Sequence, residues 1–231
     1  MSISLKIRHR FCGPPNSANG GYAAGLIAKN APFQAEVTLR KPPPLDQPLQ
    51  LFTNEKTATL KDGERLIAEA KAADFQLEIL KAVDKKAILA AEDLVANGQM
   101  TAFQHCFVCG KNRGVGDGLR IYPRNVGPQQ VACIWKPHKT LGDAKGFVET
   151  EYLWAALDCP GIWAIQDATQ LYLLGRIAAK TVKRVTTNQE YIVMGWVIEI
   201  EGRKLKAGTA IYEPSGEVCA YAKSTWIKLN Q

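Results

Sequence analysis

The chain has 231 residues, 46% hydrophobic and 22% charged, enough to bury a core as one large domain or two small ones. Its 29 Lys and Arg against 22 Asp and Glu give +7, which favours phosphate-bearing partners without choosing among nucleic acid, an anionic surface and a phosphorylated cofactor. The densest basic clusters, KAVDKKA and KTVKR, read as solvated faces, so no nucleic acid is expected. No run approaches the length of a membrane span and the start lacks an apolar leader, so the expectation is a cytoplasmic protein with no membrane contact.

The order of predicted elements is α+β rather than alternating βαβ. Ser2 to Phe11 alternates as a half-buried strand does, with Ile3, Leu5 and Ile7 on one side. A Gly-Pro-Pro-Asn loop follows, then the Ala-rich run Tyr22–Lys29 after Asn19-Gly20-Gly21, which reads as a buried helix. Gly25 inside it costs roughly 1 kcal/mol against Ala unless another backbone comes close. Strands are expected at 34–40, 49–54, 56–61 and 65–73, with Asp62-Gly63 as a hairpin turn.

Residues 81–117 read as an Ala-rich connector between an abbreviated N-terminal unit, 1–80, and a second unit, 118–231. In the second unit, strands are expected at 119–124 and 130–135, a polar loop at 136–145 and a helix over 147–157, kinked or stopped by Pro160. Long strands then fill 171–185, 189–201, 204–213 and 217–229. The segment GERLIAEAK at Gly63–Lys71 matches GEVCAYAK at Gly216–Lys223 with one residue dropped, each beyond a hairpin turn. This is a degenerate internal repeat, and two such sheets can pair edge to edge and remove exposed edges.

Six cysteines are too few and too scattered for a disulfide scaffold. Cys106-Phe107-Val108-Cys109 is the one suggestive pair; a second CxxC is missing and a Gly-rich turn follows. A structural turn is the first reading, with a metal half-site and a redox pair as alternatives, and no metal is assigned.

These residues resemble the hotdog-fold acyl-CoA thioesterases, in a double-hotdog arrangement: two long central helices, each wrapped by antiparallel sheet. Gly20-Gly21-Tyr22-Ala23-Ala24-Gly25 is similar to the helix start of their first half. Cys106-Phe107-Val108-Cys109-Gly110 with Gly118-Leu119 is similar to the opening of related hotdog proteins, and Gly146 to Asp158 follows their second helix. The chain departs from the family's His-Gly-Gly, with Glu149-Thr150-Glu151 in the second half and Asn19-Gly20-Gly21 in the first. The Asp is kept as Asp158, and its counterpart is Ala28.

The resemblance implies one site per chain, pairing Asn19, Gly20 and Gly21 at a helix N-terminus with the Asp158 carboxylate as catalytic residues. Asn16, Thr150 and Trp154 are the substrate-binding candidates. The helix start would hold a developing oxyanion, and Asp158 would act as base or nucleophile. Glu149 and Glu151 read as complements to the helix dipole, Trp163 as core or pocket wall and His138 as a surface residue. The implied function is hydrolysis of an acyl-CoA thioester by a homodimer, with no cofactor beyond the coenzyme A of the substrate. The alternatives are a catalytically silent double hotdog that binds an acyl ligand or serves assembly, and hydratase chemistry, against which the placement of His9, His105 and His138 counts.

Overall fold

The computed structural model describes residues 1–94, 103–166 and 171–229, and there twelve strands form one continuous antiparallel sheet. The first unit contributes β1 (Ser2–Lys6), α1 (Gly20–Asn30), β2 (Ala35–Leu39), β3 (Pro48–Thr53), β4 (Thr57–Asp62) and β5 (Arg65–Ala72). After α2 (Lys85–Ala90) come β6 (Glu92–Asp93), β7 (Arg124–Gly127) and β8 (Gln130–Trp135). The chain ends with α3 (Thr150–Ala156), α4 (Cys159–Trp163), β9 (Tyr172–Thr181), β10 (Tyr191–Glu201), β11 (Lys204–Tyr212) and β12 (Val218–Lys228).

The sheet order is β1-β3-β4-β5-β2-β9-β12-β11-β10-β8-β7-β6. Read inward from either side, β1-β3-β4-β5-β2 has the same connectivity as β8-β10-β11-β12-β9, so the repeat seen in sequence is a repeat in topology. The two GE…AK segments fall on β5 and β12, equivalent strands of the two halves. The halves meet edge to edge where β2 pairs with β9, Val37 opposite Ile177, which closes two edges that would otherwise be open. The hairpins before β5 and β11 turn through Gly63 and Gly202, both at φ +56°, a conformation glycine adopts without steric cost.

Both helices lie on one face of the sheet and share its main apolar core, which joins Ile27, Val37 and Leu60 of the first half to Ile162, Ile177 and Ile211 of the second. The outer face of the second half is covered by the segment that follows β5, from the end of the first unit into α2. Ile88 of α2, with Leu77, Ile79 and Leu80, packs on Ile192, Met194, Trp196 and Tyr212. That is why β10 opens with six consecutive buried residues instead of alternating.

Two expectations are corrected. The central helices are not both long: α1 has 11 residues, and the second is broken into α3 of seven and α4 of five. Pro160, without an amide hydrogen, cannot continue the ladder, and the break falls at Leu157–Asp158. Residues 119–124 do not form the expected strand. Leu119 and Ile121 donate their amides to Phe107 and Val108 of the Cys-rich turn, Arg120 takes φ +57°, and the ladder begins only at Arg124.

Candidate active site

The site starts from the loop before α1. Cys12 and Ala18 bridge, and Asn19 then caps the helix, its Oδ1 accepting from the Tyr22 amide at 2.9 Å. The ring of Tyr22 stacks on Phe11 at 4.0 Å between centroids, which fixes the direction of entry. Helix α1 runs antiparallel to α3, and the crossing is close because of two glycines. A Cβ on Gly21 would lie 2.5 Å from Asp158 Cβ, and one on Gly25 would lie 2.6 Å from Glu151 Cα. The stability that Gly25 costs the helix is thus offset by backbone approach.

The break between α3 and α4 turns Asp158 toward the start of α1. Its Oδ2 accepts from Asn19 Nδ2 at 2.8 Å and from the Gly21 amide at 2.9 Å, while Oδ1 is buried with no protein partner. Asp158 is only 2% exposed. Burial raises its pKa from the usual carboxylate value to about 7, against the two donated hydrogen bonds that lower it.

Of the first amides of α1, those of Gly21 and Tyr22 are therefore taken by side chains, and Ala23 bonds to the Asn19 carbonyl. The Gly20 amide, at the first helical position, has no intrahelical partner by geometry. Gly20, Asn19 and Asp158 all line one cavity of about 260 Å³, walled by apolar groups including Leu39, Ile162, Trp163, Leu174 and Trp226. Arg40 and Lys41 also line it and are exposed, so they stand at its mouth.

The same cavity is lined by Cys106, Cys109 and Cys159, all buried, whose sulfurs lie within 4.8 Å of one another. Cys106 Sγ and Cys159 Sγ are 3.8 Å apart. Hydrogen bonds from the Cys109 and Cys159 thiols, together with the amides of Cys109 and Val108, hold the Cys106 thiol well below its usual pKa. Phe107, fully buried and edge-on to Phe11 at 5.0 Å, pins this turn against the loop before α1.

At the opposite end of the helix pair the equivalent site is filled. Where Asp158 meets the start of α1, Lys29 from the end of α1 meets the start of α3, donating to Glu149 and, at 2.9 Å, to the buried Glu151. Glu149 stands at the N-cap of α3 and Glu151 in its first turn, as dipole complements should, but their partner is a lysine.

Asn19, Gly20, Gly21 and Asp158 are thus brought together, whereas the three substrate-binding candidates lie elsewhere. Asn16 occupies an exposed left-handed turn at φ +63°, off the cavity wall. Thr150, half-buried, opens α3 at the end filled by Lys29. Trp154 is buried against Gly21 and Gly25 and serves the helix crossing. None of the three histidines lines the cavity. Cys159 was missed as a companion of the CxxC pair, since fifty residues of sequence separate them; its only signal is its place next to Asp158.

A central helix wrapped by antiparallel sheet defines a hotdog-fold protein. Solved structures agree on the fold. The tesB protein of Mycobacterium avium subspecies paratuberculosis superposes with a TM-score of 0.66 at 11% identity, covering 99% of this chain and 93% of its own. A protein of unknown function with the hotdog fold from Alicyclobacillus acidocaldarius gives 0.66 at 12% identity over 100% and 94%. A proposed thioesterase from Novosphingobium aromaticivorans gives 0.62 at 10% identity over 100% and 96%. No protein-family profile and no curated protein matches the sequence.

Proposed function

We propose that the chain hydrolyses an acyl-CoA thioester, as a double hotdog with one working site per chain. The observation that carries this is the buried Asp158 carboxylate, fixed by the Gly21 amide and Asn19 in an apolar cavity that Gly20 also lines. In this reading the acyl group lies along Leu39, Ile162 and Leu174, and its thioester oxygen accepts from the Gly20 amide, where negative charge develops. Asp158 Oδ1, which has no protein partner, either takes a proton from water or attacks the carbonyl itself. The coenzyme leaves as the thiol, and Asn19 acts as a positioning residue because both ends of its amide are engaged.

The exposed Arg40 and Lys41 suit the phosphates of the coenzyme, and no cofactor beyond the substrate enters the reaction. Among the described residues β1 ends the sheet on one side, and its outer edge offers a strand for pairing into a homodimer. Among the described residues no helix is long and apolar enough to cross a membrane.

The test is thiol release from short, medium, long and aryl acyl-CoAs by wild type and Asp158→Asn. The variant should lose about 100-fold or more while keeping its circular dichroism. Turnover unaffected by the substitution would move the site elsewhere. Absence of turnover on the whole panel, with saturable capture of an acyl-CoA, would establish a binding protein instead.

A further inference from the structure

We propose that Cys106, Cys109 and Cys159 form a soft-metal site, three thiolates holding one zinc-class divalent ion whose fourth position opens on the cavity. The inference is independent of the acyl-CoA reading. It begins from distances: a tetrahedral ion with metal–sulfur bonds of about 2.3 Å sets its sulfurs about 3.8 Å apart. Cys106 and Cys159 already stand at 3.8 Å, and all three sulfurs lie within 4.8 Å of one another, close to the spacing such an ion needs.

The scaffold is a built turn. The Gly110 amide returns to the Cys106 carbonyl at 2.9 Å, and a Cβ on Gly110 would lie 2.5 Å from the Gln104 carbonyl oxygen and 2.6 Å from that of Cys106. Only glycine fits there, and the tight turn sends both thiols of the pair toward Cys159. The turn is further held by Phe107 donating to the Cys12 carbonyl at 2.7 Å and by the Leu119 and Ile121 amides. Cys159 arrives from the first position of α4, so the cluster ties the connector to the helix break.

The cavity that the three sulfurs line is also lined by Asp158, next to Cys159 in the chain. Cys12 is not a fourth ligand: its sulfur accepts from Arg113 Nη2 at 3.1 Å and donates to the His105 carbonyl at 3.0 Å. Among the described residues the cluster has three protein ligands, the number that leaves one coordination position for water or a ligand in the cavity.

The experiment uses the full chain, reduced and stripped of metal, titrated with Co²⁺ and then with Zn²⁺ against a chromophoric chelator. The expected result is one ion per chain, with thiolate-to-cobalt charge transfer and tetrahedral d–d absorption that Zn²⁺ abolishes. Removing even an outer-shell partner of a bound metal costs 10–100-fold in affinity, so Cys159→Ser should cost about 100-fold or more. Cys219→Ser, buried on β12 away from the cluster, should leave affinity unchanged. Should Cys159→Ser fail to fold, the wild-type urea midpoint with and without Zn²⁺ decides: a rise supports the site, and no change overturns it. Absence of cobalt thiolate absorption in the reduced chain, or uptake that survives Cys159→Ser intact, overturns it as well. A Cys106–Cys159 disulfide in the untreated protein with no metal uptake after reduction would show a thiol pair in its place.

Discussion

Gly21 and Asp158 meet both as hydrogen-bond partners and as neighbours with no space between them. The Gly21 amide donates to Asp158 Oδ2 at 2.9 Å, and a side chain on Gly21 would begin 2.5 Å from Asp158 Cβ and 2.6 Å from the Trp154 carbonyl oxygen. The amide can reach the carboxylate only because the residue bearing it has no Cβ. Gly21→Ala must therefore push α1 away from α3. Overpacking of this kind costs about 1–3 kcal/mol, and a carboxylate misplaced by about 1 Å costs about 100-fold in turnover. Urea unfolding and thiol release would read the two losses together. Wild-type turnover in a destabilised Gly21→Ala protein would show that this amide does not position Asp158 for the reaction.

Asn19 holds two bonds of different kinds, and two substitutions separate them. Its Oδ1 caps α1 through the Tyr22 amide, and its Nδ2 donates to Asp158. Asn19→Ser keeps an oxygen for the cap but loses the donor to the carboxylate, a bond to a charged group worth about 1.5–3 kcal/mol. Asn19→Ala loses the cap as well and should fall about 1 kcal/mol further in urea unfolding. Equal stability of the two variants would mean that the cap contributes nothing here.

The strand pattern was legible because alternation and turn residues are local. The repeat on β5 and β12, the hairpin turns at Gly63 and Gly202 and the break at Pro160 all follow from residues adjacent in sequence. At the site, the pairing of Asn19, Gly20 and Gly21 with Asp158 came from the resemblance of each half to one motif, since no spacing links residues more than 130 apart. What was not legible depends on partners distant in the chain. Residues 119–124 carry an apolar alternation but spend their amides on the Cys-rich turn. Trp154 on α3 is apolar on either reading, and only the position of Gly25 decides that it packs the helix crossing instead of the cavity. Asn16 is a polar residue in a loop, and its left-handed φ shows it to be a turn former.

Lys41 is exposed at the cavity mouth beside Arg40, which is itself tied to Glu69. If phosphates of the coenzyme pass this point, Lys41→Glu should raise KM about tenfold at low salt and leave kcat unchanged, because it alters binding remote from the reacting carbonyl. The effect should shrink as ionic strength rises and the Debye length falls to about 3 Å at 1 M. Measuring KM across a salt series for both proteins checks this. A kcat effect without a KM effect would place Lys41 in the chemistry rather than at the mouth.

Lys29 answers for the other end of the helix pair, where the second-half equivalent of the site holds Glu149 and Glu151. Burial alone would lower the pKa of its ammonium, but the hydrogen bonds to Glu149 and Glu151 outweigh that and raise it above 10.5. A cation whose pKa is higher in the folded state than in the unfolded chain stabilises fully below the unfolded value and loses that contribution as pH rises through the folded value. Lys29→Met should thus cost about 1–2 kcal/mol near neutral pH, since it strands the buried Glu151 at the start of α3. The gap between wild type and variant should stay constant up to about pH 10 and narrow above it. Paired urea titrations from neutral to strongly alkaline pH test this, and a gap that widens with alkalinity would mean that the ammonium is not what Glu149 and Glu151 hold.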